Sequence, residues 1–429
     1  MEKESRQITK SNTENEKIGD ITDKIHQRTD PSNGENYLLY SFSAYDNNEK
    51  IPVIESGENI KSAKYEVPDN SVLISKLNPR INRVWRVKKS SDNAICSTEF
   101  MVLKPKEGVP LDYVYAVLSA PNFRNYLSNF TTGTSGSHQR VRQGDILEYE
   151  MRKSTSYEKK AIALIYGLYD NKIETNNQIN RTLEAIAQAI FRSWFIDYEP
   201  FSGQEFEYHE GVAEKIPKDW DIKQMSQIAR TIDCLHSKKP DIKDEGRFYI
   251  EVKDIGKSGE LNLDDKSLIS EEDYNEWTRR IIAKEGDVII SKTGRVGAVA
   301  QIPERIEGAI GRNLVCIRPA SEKLSSPFLK EYMISPLMRK EIGRKSLSGT
   351  VLESLHVKEI ENLRVVVPPK DVRQRFDETV GHLHKRINLN IKENELLKQI
   401  RDTLLPKLMS GEIKVDDISL DNYGIESGE

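Results

Sequence analysis

The strongest constraint on this 429-residue chain is that it repeats itself. Apolar residues at Ile162, Tyr166, Tyr169, Ile173, Leu183, Ile186 and Ile190 step mostly by three and four, the spacing of one helix face. Adding 214 to each number gives Phe376, Val380, Leu383, Ile387, Leu397, Ile400 and Leu404, all apolar. The register also holds where it is interrupted, since Asn176 and Asn180 correspond to Asn390 and Asn394. Upstream, STEFMVLKP (97–105) matches GRNLVCIRP (311–319) at the same offset, and SVLISK (71–76) matches DVIISK (287–292). QGDILEYEM (143–151) faces KEIENLRVV (358–366), and EKIGDITDKI (16–25) resembles KQMSQIARTI (223–232) as an amphipathic opening. So many matches in one order imply a tandem duplication, so the fold is built twice.

Within each copy the periodicity switches once. Residues 36–151 and 245–367 carry short β-rich runs such as VIIS and LVCIRP, separated by Gly, Pro, Asn and Asp. Residues 157–197 and 371–409 read as helices, each extending ~60 Å at ~1.5 Å per residue. The expected fold class is therefore α+β: two tandem mixed α/β domains, each followed by a long helix. The expected boundaries are a polar tail (1–14), domain one (15–153), a central helical region (154–199), a linker (200–222), domain two (223–369), a C-terminal helical region (370–410) and an acidic, disordered tail (411–429). Pro406 lacks an amide donor and should end the second helix.

A long helix with an apolar stripe must bury it, and two related stripes suit each other. The helices are expected to pair as an antiparallel coiled coil with the domains at opposite ends of a rod. Its seam would be Ile162, Tyr166, Tyr169, Ile173, Asn176, Asn180 and Leu183 against Phe376, Val380, Leu383, Ile387, Asn390, Asn394 and Leu397. The Asn pairs either form a polar layer that fixes register or face solvent where the stripe drifts. Trp194, Phe195 and Tyr198 end the first helix in SWFIDYEP, as a hydrophobic junction with domain two, as a docking surface for a partner, or as both.

Catalytic signals are missing. The sequence contains no GxxxxGK[ST], HExxH, CxxC or GxSxG, and no Asn-Pro-Pro-aromatic motif of amino-group DNA methyltransferases. Its seven histidines and three cysteines match no metal spacing, and reduced cytoplasmic thiols are the expectation. The opening has no apolar h-region, and no run approaches a membrane span, so neither secretion nor a membrane is expected. A net charge of −4 opposes general coating by nucleic acid but allows local basic surfaces. KLNPRINRVWRVKK (76–89) is such a surface, without an acid, and offers Lys76, Asn78, Arg80, Asn82, Arg83 and Arg86. Arg suits guanine or phosphate, and Asn suits adenine edges. In the second copy SKTGRVG (291–297) supplies Lys292, Thr293 and Arg295. TTGTSGSHQRVRQ (131–143), with Gln139, Arg140 and Arg142, and KSLSGTVLES (345–354) form a second pair of loops. Any one of these loops also suits a solvated turn; their recurrence in both copies points to a paired reader of double-stranded DNA.

This organisation, with LEAIAQAIFRSWFIDYEP after the first domain and RDTLLPKLMSGEI after the second, resembles the specificity subunit of type I restriction–modification enzymes. DNSVLISKLNPRINRVW and KIPKDWDIKQMSQI also resemble stretches of first and second target-recognition domains of that family. The resemblance implies that each domain reads half of a bipartite DNA sequence, with the coiled coil as a ruler for the spacer. It implies two methyltransferase subunits carrying S-adenosylmethionine, and motor–nuclease subunits using ATP and Mg. The chain itself would have no cofactor and no catalytic role. Base contacts do not carry over, and LSGT in copy two is shorter than the Gly/Ser-rich loop of copy one. The other readings are an enzyme with an unrecognised site and a scaffold without a DNA role.

Overall fold

The computed structural model describes residues 14–46, 50–130, 139–209, 211–234, 238–256, 258–263, 266–320, 324–346 and 354–415. The acidic tail beyond 415 and the stretches 131–138 and 347–353 of the Gly/Ser loops lie outside the described residues. The chain divides into two compact units, Met1–Glu174 with Glu393–Glu429, and Thr175–Lys392.

In the first unit the continuous apolar run Ser71–Ser75 is buried on both faces and becomes an inner strand. It pairs antiparallel with Phe100–Pro105 and Val84–Val87, and Thr22–Ile25 completes a four-stranded sheet on the far side of Phe100–Pro105. A five-stranded sheet holds the parallel pair Asn36–Tyr40 and Ala94–Ser97. The second unit repeats this design. Ala229–Asp233, Leu314–Pro319, Val288–Ser291 and Val299–Gln301 form the four-stranded sheet in the same order. Its neighbouring sheet again contains a parallel pair, Arg247–Ile250 and Glu307–Ile310.

Each unit then packs two short helices on its four-stranded sheet: Leu111–Ser119 and Pro121–Ser128, or Ser326–Ile334 and Pro336–Lys345. Pro121 and Pro336 separate the members of each pair, because a residue before proline leaves helical geometry while proline suits a first helical turn. Ala120 and Ser335 are accordingly extended, and the Ser335 hydroxyl accepts from the Met338 amide at 3.4 Å. A two-stranded ribbon closes each domain before its long helix, Asn15–Lys17 with Glu150–Arg152 and Asp221–Gln224 with Arg364–Val367.

The long helices are Ser156–Phe195 and Lys370–Ser410, and each contributes to both units. They run antiparallel within each unit. In the first, Asp170 meets Arg401 at 3.2 Å and Lys172 meets Glu393 at 3.4 Å. In the second, Asn390 Nδ2 donates to Asn180 Oδ1 at 2.7 Å, and the Phe191 and Phe376 rings lie 6.0 Å apart. Of the expected seam, Ile162, Tyr166, Ile173, Asn176, Phe376, Val380, Ile387, Asn390 and Asn394 are buried; Tyr169, Asn180, Leu183, Leu383 and Leu397 are half-buried. Beyond this stretch the same spacing continues through buried Ala187 and Leu408. Ile186 and Ile400 are 43% and 47% exposed, whereas Ile162, Ile173, Glu184 and Phe195, eleven apart, are all buried. Eleven residues per three turns follows a nearly straight helix better than sevens do.

Two further expectations change. Pro406 lies inside the second helix, which continues to Ser410 before Gly411 at φ +78°. A proline this near the end removes one amide, while Leu405 and Leu408 hold the last turn in the core. The described residues of 200–222 are folded and do not form a linker. A hairpin, Phe206–Tyr208 with Lys215–Pro217, accompanies Phe201, Val212, Ile216 and Trp220 into the core of the second unit. Tyr198, at φ +57°, turns the chain out of the helix into this module.

The second unit joins its domain to the helices through buried charge. His384 Nε2 lies 2.7 Å from Glu331 Oε1, Gln188 donates to Glu331, and Lys330 Nζ lies 3.8 Å from Glu184. Burial pushes the Glu184 carboxyl up to about 7, with Lys330 offsetting part of the effect. A raised carboxyl pKa means the folded state holds the proton more tightly than the unfolded chain. Stability is then full near pH 4.5 and declines as pH rises through 7. Glu184→Gln is expected to raise stability by roughly 1–3 kcal/mol at pH 8 and to change it little near pH 5. Denaturant titrations at both pH values check this, and an equal effect at the two would contradict it.

Candidate nucleic-acid interface

In both units the strand ending in Ser-Lys delivers its following loop to the same place. Lys76 N donates to Glu99 O at 2.9 Å, and Lys292 N donates to Asn313 O at 2.7 Å. Val141 N donates to Lys76 O at 3.0 Å, and Leu355 N donates to Lys292 O at 2.9 Å. Isolated bridges join Leu77 to Arg140 and Thr293 to Ser354. Each basic loop is thereby held against the residues that leave the Gly/Ser/Thr stretch, in repeat register.

The candidate side chains divide by their surroundings. Arg80 and Arg142 are exposed, and neither side chain has an ion pair among the described residues. Arg140 is exposed and pairs with Glu99 at 2.8 Å. Asn78, at φ +51°, fixes the loop by donating its amide to Gln139 O at 2.8 Å. Lys76 Nζ donates to Thr98 O at 2.7 Å, and burial lowers its pKa. Asn82 donates to Leu118 O at 3.2 Å, so it braces the domain. In the second unit Lys292 pairs with Asp233 at 2.5 Å, Thr293 sits in its bridge, and exposed Arg295 donates to Ile255 O at 2.6 Å.

Arg83 and Arg86 do not belong to this surface. Arg83 is buried, clasps Asp46 through two bonds of 2.6 and 2.8 Å, and lies over the Phe42 ring. Arg86 pairs with Asp112 at 3.1 Å and Asp170 at 3.2 Å and lies over Tyr115. Distant acids, invisible in the local run, have turned both into structural anchors. Trp194, Phe195 and Tyr198 likewise belong to a core: Phe195 is 2% and Tyr198 4% exposed, and Trp194 is half-buried. Their rings meet Phe201, Trp220 and Phe376 edge-on. Sequence reading missed the turn Gly311–Asn313 that abuts the second basic loop. The aligned stretches at 97–105 and 311–319 already contained the signal for that turn.

Among the described residues no helix is long and apolar enough to cross a membrane. No family model matches the chain. The chain is 28% identical over 324 residues to the MjaIX specificity subunit of Methanocaldococcus jannaschii, covering 74% of this chain and 73% of that one. It is 24% identical over 464 residues to the HindI specificity subunit of Haemophilus influenzae, covering 92% and 98%. The crystal structure of a type I restriction–modification S subunit from M. genitalium shares the fold, with a TM-score of 0.50, 17% identity and coverage of 94% and 97%. Alike in sequence over most of its length and alike in fold, the chain is a homologue of the specificity subunits of type I restriction enzymes.

Proposed function

We propose that this chain is the non-catalytic specificity subunit of a type I restriction–modification complex, each recognition domain reading one half of a bipartite duplex target. The observation that carries this reading is the repeated junction of a basic loop with the exit of a Gly/Ser/Thr loop, built by equivalent backbone bonds in both units. Backbone so fixed presents side chains at a defined distance, as base reading requires. Arg80, Arg142 and Arg295 are the exposed cations for phosphate or base edges. The paired helices would set the spacer between half-sites, and the helical regions would dock two methyltransferase subunits. Those partners would supply S-adenosylmethionine and the chemistry at adenine, and motor–nuclease subunits would supply ATP hydrolysis with Mg. The chain would act in the cytoplasm, where its DNA target lies.

An adenine-methylation map of the host with and without the gene tests this. One bipartite motif should vanish on deletion. An unchanged map, with this chain and a methyltransferase partner both expressed, would overturn the reading. In the assembled complex Arg80→Glu with Arg142→Glu should weaken DNA binding and make its salt dependence shallower by about one unit per lost phosphate contact. A scaffold without a DNA role predicts no change in either quantity.

A further inference from the structure

A hollow of about 450 Å³ in the second unit is lined by Lys239, Tyr249, Glu251, Lys253, Arg312 and Asn313, among others. Its rim is the Gly311–Asn313 turn, and the backbone of that turn is tightly pinned. Gly311 N donates to Ile250 O at 2.8 Å, and a Cβ on Gly311 would meet that oxygen at 2.8 Å. Only glycine permits so close an approach. The Arg312 backbone bonds to the hydroxyl of Tyr249, itself 1% exposed. Asn313 O accepts from Lys292 N, which ties the turn to the basic loop. Above this fixed backbone the Arg312 side chain is exposed and Asn313 is half-buried. The acid in the hollow is already satisfied: Glu251 accepts from Ser267 at 2.6 Å and pairs with Lys239 at 2.8 Å.

The first unit builds the same turn with other side chains. Ser97, Thr98 and Glu99 occupy the register of Gly311, Arg312 and Asn313, and Glu99 O takes the equivalent bond from Lys76 N. There the turn presents an acid, paired with Arg140, where the second unit presents a cation and an amide. A framework repeated in backbone but changed in charge is what two readers of different sequences require. The geometry points to the Gly311–Asn313 turn as a base-reading element of the second recognition domain. Arg312 and Asn313 address base edges in the major groove, guanine and adenine being the bases whose edges match a guanidinium fork and a side-chain amide. Lys253 lies beside them for a neighbouring phosphate.

This inference rests on the DNA-reading function. It is tested with the complex of the full chain and its methyltransferase subunits, by competition among duplexes carrying each single base-pair change in the mapped target. A wild-type complex without sequence preference sinks the DNA-reading function itself. Given that preference, Arg312→Ala should cut discrimination ~10- to 100-fold at one or two adjacent positions of one half-site, leaving the other half-site unchanged. Lys253→Ala should weaken binding to all sequences alike. Unchanged discrimination at every position in R312A overturns the assignment. If R312A binds no DNA, Arg312→Lys decides, because it keeps the charge without the fork. Retained affinity with discrimination lost at one half-site supports the assignment. Retained affinity with full discrimination, or lost binding in this variant too, overturns it.

Discussion

Arg86→Ala is expected to destabilise the first unit by about 3 kcal/mol, the low end of the cost of removing one partner from a buried ion pair. The Arg86 side chain is 8% exposed, and its guanidinium serves three acids and an amide: Asp112 at 3.1 Å, Asp170 at 3.2 Å, Glu174 at 3.5 Å and Asn171 at 2.8 Å. Without it Asp170 keeps Arg401, but Asp112 loses its ion pair. The low end applies because Asp112 is 27% and Glu174 59% exposed, so water recovers part of the loss. Chemical denaturation of the isolated chain measures the effect. A variant as stable as the wild type, with only DNA affinity reduced, would return Arg86 to the nucleic-acid surface where its sequence neighbours suggest it belongs.

Phe195→Ala should cost the second unit about 3–5 kcal/mol, the range for removing a fully packed aromatic side chain. The ring lies 5.0 Å from Phe191, 5.0 Å from Phe376, 5.1 Å from Phe328 and 5.7 Å from Trp220. These neighbours come from both long helices, a domain helix and the module after Tyr198. A void there loosens the joint between domain two and its helices, and the surrounding large rings cannot collapse into it. Thermal or denaturant unfolding reads this directly. If stability is unchanged and only assembly with methyltransferase subunits fails, the ring acts as a docking contact.

The architecture was legible because a duplication makes each weak signal count twice. Offsets of 216 and 214 align SVLISK with DVIISK and STEFMVLKP with GRNLVCIRP, and these become equivalent inner strands of equivalent sheets. The two helices were visible for the same reason. The site was only partly legible, because whether a cation is free depends on residues far away in the chain. In KLNPRINRVWRVKK every cation looks alike, yet Asp46, Asp112 and Asp170 claim Arg83 and Arg86 and leave Arg80 exposed. Residues 200–222 read as a linker because their average is polar, whereas four well-spaced apolar side chains anchor the segment. Ile186 and Ile400 fell outside the buried row because its three-and-four spacing continues through Ala187 and Leu408 instead.

The first unit draws its core from both ends of the chain, Leu405, Leu408 and Val415 packing with Ile162 and Tyr166. The second unit is one continuous segment, Thr175–Lys392. Domains made by a ribosome usually mature in the order of synthesis. Here the chain order differs: the core cluster around Ile162 and Tyr166 includes residues made after the whole of the second unit. A chain cut short by premature termination after the second unit would therefore release a finished second reader joined to an unfinished first one. Closing the first unit therefore calls on Leu405, Leu408 and Val415, which follow the whole of the second unit along the chain.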